Sequence, residues 1–448
     1  MSTLVKDQAQ YRSMWKFIIA VVTVLMALGT NACDSLVNVK DPDIVTPSSL
    51  EGQQGVETLR AGSLGDLAVA MSGSAAGHGA TPGLITMSAL MGDEYIYSGT
   101  FPTRREADTR NVQTTNGTMD EIYGNMHRAR AAAVRAAERA SNIGEMPAIL
   151  SEMQSVRGYT YIMFAETFCP GVPFSRAPAG GGELIFGEPL TTQQMFATAD
   201  TIFDKAISSA EGNANLANLA RIGKARALLG LGQIDEAANV VSSVPTDFVY
   251  EIEHSTNSRR QENGIYIMST LRRQWSIADG KGGNGLMYRS ADDPRVPWDG
   301  GEQLGQDNLT TYFNQLKFTS SSANVTLASG VEARLIEAEA AMQAGNNQEV
   351  EDIHNALRAS EGLQDDDLSG MSQDELREYH FKERAFWLYS TGHRQGDLRR
   401  LVREYGQDPS EVFPWGTYFK GGQYEPVISF PVPQSEENNP NFEGCLNQ

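Results

Sequence analysis

Seven residues near the C-terminus could do chemistry. Glu383, Arg384, His393, Arg394, Asp397, Arg399 and Arg400 fall within one short stretch. Carboxylates and an imidazole at such spacing can move protons, and grouped guanidinium ions can hold an oxyanion. A structural reading competes. Trp387 and Leu388 would face a core, Gly392 would end one helix, and His393-Arg394 would open the next turn. The Glu and Arg side chains would then satisfy each other and nearby backbone carbonyls. Pro431 and Pro433 fix φ and hold the following tail extended, and Ser435 and Glu436 can cap the turn after it. On that balance the segment is read as structural.

No other pattern assigns a catalytic group, a metal or a cofactor. The six His are at 78, 127, 254, 354, 380 and 393. No two sit four residues apart, and none makes a metal-ligand pattern with Cys. A Gly-x-Ser-x-Gly elbow and a phosphate-cradling Gly loop before a strand are both missing. Asp365-Asp366-Asp367 lacks the spacing and the Gly of a calcium loop, and is read as a solvated acidic turn. Glycoside hydrolysis needs two carboxylates at a set separation in a cleft. Sequence neither shows nor excludes such a pair, so an α-helical glycoside hydrolase stands as the enzyme alternative.

Binding residues are easier to nominate. Sugars stack on aromatic faces and take hydrogen bonds from amides and charged groups. Three loop clusters qualify: Tyr95 and Tyr97 with Phe101 and Arg104; Tyr288 through Trp298; and Trp415, Tyr418 and Phe419 among Gly416, Gly421 and Gly422. Peptide ligands could use the same aromatics, with backbone hydrogen bonds added. The aromatic fraction is 8%, so no conspicuous sugar platform stands out.

The elements that must hold these loops are helical. Ile122, Met126, Ala129, Ala133, Ala136 and Ala137 recur at helical spacing within 119–141. Helices are also expected over 149–168 and 191–211, the latter opened by a Thr-Thr cap. Segments 217–243 and 331–359 each read as a tetratricopeptide-like helical hairpin, with Gly at the turn and Ala where helices touch. Residues 119–168 form a looser version. One hairpin cannot bury its apolar face alone, whereas stacked hairpins can. Between them, 92–118, 250–330 and 403–430 read as inserted loops and short strands. A helix from about Ser48 to Ala61, capped by Ser48, and helical structure over 64–92 complete the pass.

The chain ends differ from this middle. Lys6, Arg12 and Lys16 precede an apolar run over 17–30, which suits an export signal and is short for a membrane span. It leads to Thr30-Asn31-Ala32-Cys33, where Ala before Cys suits lipoprotein processing, with Thr30 and Asn31 unusual at their positions. Residues 1–32 are therefore read as a signal peptide, Cys33 as the lipidated residue, 33–47 as a tether and 48–448 as one domain. Several acyl chains anchor stably where one does not. The net charge of −20 offers no basic stripe to neutralise phosphates, so nucleic acid is excluded as a partner. With Cys33 acylated, Cys169 and Cys445 remain in an oxidising compartment, where an even leftover count suggests a disulfide.

Four pieces in fixed order now resemble the SusD/RagB family of cell-surface nutrient-binding lipoproteins. They are the lipobox-like Cys33; Asp293-Pro294-Arg295 and Lys317-Phe318; the hairpin from Glu332 to Arg358; and the C-terminal signature. That signature runs from Glu383-Arg384-Ala385-Phe386-Trp387-Leu388-Tyr389 through Gly392-His393-Arg394-Gln395-Gly396-Asp397 to Phe430-Pro431-Val432-Pro433. The resemblance implies a mostly α, tetratricopeptide-like superhelix with a loop-rich face carrying short strands. It also implies an outer-membrane, lipid-anchored protein that captures a glycan or peptide. Such a protein delivers its ligand to a SusC-like TonB-dependent transporter, over which it acts as a lid. In glycan-binding relatives the contacts come from loops roughly like the first two clusters, which favours Tyr95, Tyr97, Arg104, Tyr288 and Trp298. A helical-repeat scaffold that binds only protein partners is the competing class.

Overall fold

Small side chains decide how closely the helices of this protein approach. The computed structural model describes residues 52–77, 80–144, 146–178 and 182–446. The export signal, Cys33, the tether and the Ser48 cap lie outside the described residues. Within them, the scaffold helices are α1 (Gly52–Ser72), α2 (Leu84–Met91), α3 (Pro102–Asp108), α4 (Gly117–Ile143), α5 (Pro147–Thr167) and α6 (Thr192–Ser209). They continue as α7 (Ala214–Gly230), α8 (Ile234–Val241), α9 (Gly330–Gln343), α10 (Asn347–Ser360), α11 (Gln373–Trp387) and α12 (Arg394–Arg403).

Local sequence sets the helix ends. Asn116 accepts from Met119 N–H at the start of α4, and Gly144 ends it with φ 77°. Thr191 and Gln194 cap each other reciprocally at the start of α6, as do Ser372 and Glu375 at α11. The first helix runs past its expected end at Ala61, through Gly62 and Gly65, to Ser72. Val56, Ser63, Leu67 and Ala70 form its buried face, and α1 packs along α4. That contact overrides the weak helix propensity of two glycines.

From α4 onward each helix packs on the next: α4 on α5, α5 on α6, α6 on α7, α7 on α8, α8 on α9, and α9 on both α10 and α11. This succession is the mostly α, hairpin-built superhelix. One close contact is made by Phe203 of α6, fully buried. A Cβ on Gly158 of α5 would lie 2.6 Å from that ring, and one on Gly223 of α7 would lie 2.2 Å away. The ring is thus wedged between two helices that can close on it only because both present glycine. Tyr159 Oη donates to Leu219 O at 3.0 Å across the same contact.

The inserted segments supply short antiparallel pairs: β1 (Tyr95–Tyr97) with β3 (Trp275–Ile277), β2 (Val249–Ile252) with β6 (Val325–Ser329), and β4 (Trp298–Leu304) with β5 (Thr311–Gln315). The tail returns to the scaffold. Cys169 N–H donates to Phe430 O, Phe430 N–H donates to Thr167 O, and Leu446 N–H donates to Pro170 O, each at 2.8 Å. A disulfide joins Cys169 to Cys445 across 276 residues. By loop-closure entropy a bridge that long contributes at most roughly 5 kcal/mol.

Gly223→Ala tests the wedge. Helix propensity alone would stabilise the change by about 1 kcal/mol. Overpacking against a ring enclosed on both sides costs about 1–3 kcal/mol, so a net loss is expected. Urea denaturation measures it, and an unchanged or raised midpoint would contradict the close approach.

Candidate functional site

Charged residues at the C-terminal signature are buried and committed to one another. Arg394 donates to both Asp93 carboxylate oxygens, at 2.6 and 2.8 Å. Arg384 reaches Asp397 at 3.1 Å. Arg400 bridges Asp397 at 3.0 Å and Glu339 at 2.6 Å. Arg295 pairs with Asp293 and with Glu383, both at 2.6 Å, and Arg358 joins Glu383 at 3.2 Å. His393 Nε2 lies 3.0 Å from Glu332, and Lys317 Nζ donates to Tyr389 O at 2.5 Å. Arg399 is enclosed by Ala165 O and Phe168 O. Burial would raise the Asp93 and Asp397 carboxyls; the guanidinium ions beside them outweigh it and hold both below the usual range. These groups leave no acid or base facing solvent.

The acidic turn and two of the histidines also have partners within the protein. Asp366 pairs with Arg358 at 3.1 Å, and Asp367 accepts from Ser369 N–H, so the acidic turn has internal partners. His354 and His380, remote in sequence, meet with ring nitrogens 3.1 Å apart, and burial lowers both pKa values. Among the described residues no group of three or more His, Cys, Asp or Glu could hold a metal ion.

Most of the favoured binding residues are buried too, which corrects their nomination. Tyr95, Tyr97 and Tyr288 have no exposed surface. Tyr95 Oη bonds Ser390 Oγ at 3.1 Å. Tyr97 packs edge-on to Trp275 at 5.2 Å, and its Oη accepts from Phe101 N–H. Tyr288 packs against Phe386 and Tyr389. Arg104 donates to Ala80 O and to Gln274, and stacks on Phe101 at 4.2 Å. The physical reason lies in β1. A strand alternates its side chains, so Tyr-Ile-Tyr sends both tyrosines to one side, here the core. None of these four can offer a face to a ligand.

Trp298 is different: it is half-buried, with Phe313 edge-on at 5.6 Å. The guanidinium of Arg289 sits 3.6 Å above Phe313 and 6.0 Å from Trp298. The third cluster, ranked behind the others, supplies the exposed aromatics. Trp415 is 39% and Phe419 45% exposed, while Tyr418 turns inward to donate to Asp108 at 2.8 Å. Met287, Leu304 and Leu309 are exposed on the neighbouring loops, Leu309 at 81%.

One buried cation positions this face. Lys281 Nζ donates to the carbonyls of Leu90, Gly92 and Tyr95 and pairs with Asp108 at 2.7 Å. The turn it anchors then touches both flanks. A Cβ on Gly282 would lie 2.4 Å from Trp415 N, and one on Gly280 would lie 2.9 Å from Met287 Sδ. Asn284 donates to Phe413 O at 2.8 Å. Lys420, beside Phe419, pairs with Asp307 at 2.6 Å and donates to Tyr97 O. Trp415, Met287, Phe419 and the 304–309 turn therefore belong to one connected, loop-built surface. Leu309 was legible in principle, since Gln306-Asp307-Asn308-Leu309-Thr310 is a polar turn with one apolar residue at its tip. Lys420–Asp307 carried no such signal.

The protein has the fold of SusD-like proteins. A laminarin-binding SusD-like protein matches with a TM-score of 0.66 at 12% identity, over 89% of this chain and 100% of its own. A SusD superfamily protein from Parabacteroides distasonis matches with a TM-score of 0.66 at 14% identity, over 90% and 100%. Surface glycan-binding protein A from Bacteroides uniformis matches with a TM-score of 0.64 at 14% identity, over 87% and 99%. No protein-family model and no curated protein sequence matches the chain.

Glu94 beneath this face generates a pH prediction. Burial pushes its carboxyl up to about 7, against the pull of the Ser390 N–H bond. The folded state therefore holds a proton that the unfolded state releases near pH 4.5. Stability should fall as pH rises from about 4.5 to about 7, by up to about 3 kcal/mol. Glu94→Gln should flatten that slope in urea titrations. An equal slope in the variant would remove Glu94 as its cause.

Proposed function

We propose that this protein is a SusD-family surface lipoprotein that captures a glycan and passes it to a TonB-dependent outer-membrane transporter. The observation that carries the binding role is the solvent-facing aromatic set, Trp298, Trp415 and Phe419, mounted on loops that buried ion pairs fix to a helical scaffold. Large binding surfaces of this kind gain affinity when the aromatics are held in place beforehand. The fold supports the reading, because relatives of the same fold are described as binding laminarin and surface glycans. A non-enzymatic role is part of the same proposal, supported by relatives of the same fold that are described as carbohydrate-binding. Lipidation at Cys33 and an outer-membrane location are part of the same proposal, supported by the Ala32-Cys33 motif after an apolar run. Among the described residues no helix is long and apolar enough to cross a membrane.

Calorimetry with laminarihexaose, maltohexaose and xylohexaose tests the site. At least one should bind, and Trp298→Ala and Trp415→Ala should each weaken it by about 1–3 kcal/mol, the range for losing an aromatic contact in a pocket. Wild-type affinity in both variants would overturn the assignment. Affinity purification from solubilised outer membranes should recover a barrel transporter together with this protein. Recovery of other proteins only would favour a scaffold role.

A further inference from the structure

A second cleft of about 450 Å³ lies between α4 and a wall formed by residues 173–178 and Leu184, built from none of the loops that form the aromatic face. Its size suits a small ligand. Arg128, Arg130, Arg135 and Arg176 line it. Among the described residues, none of the four has a carboxylate within ion-pair distance, although Asp120, Glu138 and Glu436 also border the cleft. For the exposed arginines this is ordinary. Arg130 differs from the other three in being 94% buried.

Other buried arginines without a carboxylate partner donate to backbone carbonyls. Arg110 donates to Val427 O and Pro414 O, and Arg399 to Ala165 O and Phe168 O. Arg130 has one backbone carbonyl, Ser175 O, and a contact with the Phe174 ring at 5.4 Å. Its Nε donates to His127 Nδ1 at 3.4 Å. Accepting at Nδ1 leaves the neutral His127 ring with its proton on Nε2. That Nε2 is buried and has no hydrogen-bond partner among the described residues, and His127 lines the same cleft. The buried N–H of His127 thus lacks an acceptor beside a buried cation, which is costly unless a ligand supplies one. Val134 and Leu184 give the cleft an apolar wall.

We propose that this cleft binds the carboxylate of an acidic sugar, with Arg130 and His127 Nε2–H receiving the anion and Val134 and Leu184 covering the apolar face of the ring. Exposed Arg176 and Arg135 would guide the anion in. The site is independent of the aromatic face, so either can fail without the other.

The test uses trigalacturonate, neutral galactobiose and inorganic sulfate against the full chain, read by calorimetry and by the His127 imidazole resonances. Trigalacturonate should bind saturably and raise the His127 pKa, since an adjacent anion favours imidazolium. Arg176→Ala, on the surface and safe for folding, should weaken binding about tenfold, a loss of about 1.4 kcal/mol. Trp415→Ala should leave this binding unchanged. No saturable binding, equal binding of galactobiose, or an unaltered affinity in Arg176→Ala would overturn the proposal. Sulfate binding as tightly as trigalacturonate would overturn its sugar part.

Discussion

The Asp93–Arg394 pair holds the protein's two halves of information together. Arg394 opens α12 in the scaffold, and Asp93 stands at the root of β1 and also accepts from Leu286 N–H at 2.9 Å in the loop that carries Met287. Both side chains are buried and joined by two hydrogen bonds. Replacing a buried pair with well-packed apolar residues can be neutral, whereas breaking it from one side costs about 3–5 kcal/mol. Its value is therefore positional: it fixes where the loop face sits on the superhelix.

The same logic explains the motif pieces that are scattered along the sequence. Arg295 meets Glu383, Lys317 meets Tyr389 O, Glu332 meets His393 and Glu339 meets Arg400. Each described piece before the C-terminal signature holds a residue inside it. Their order along the chain is a record of contacts in one buried lattice centred on the corner between α11 and α12. Residues that look like acid–base machinery serve here as a clasp, and the Cys169–Cys445 bridge fastens the tail beyond it.

Helices were legible because small and apolar residues recur at 3.6 spacing, and a cap such as Thr191 marks where one begins. The lattice was legible in outline, since charges flanking Trp387 and Leu388 have no reason to be there unless paired. The loop face was not. Tyr95 and Tyr97 have the composition of a sugar platform and the alternation of a buried strand, and the alternation won. Trp415 and Phe419 carried the same aromatic signal, with glycines around them, but exposure depends on where Lys281 and Lys420 reach in three dimensions. Such contacts join residues some 190 and 320 positions apart, which no local pattern encodes.

A scaffold that carries charge thus stands apart from a surface that carries aromatics, and capture of the glycan is assigned to that surface and not to the C-terminal lattice. Hydrogen–deuterium exchange of the full chain, with and without a saturating oligosaccharide that it binds, measures that separation directly. Protection is expected in 280–313 and 413–424, with 383–403 unchanged because it is already closed. Protection confined to 383–403, with the two loop segments unaffected, would contradict it.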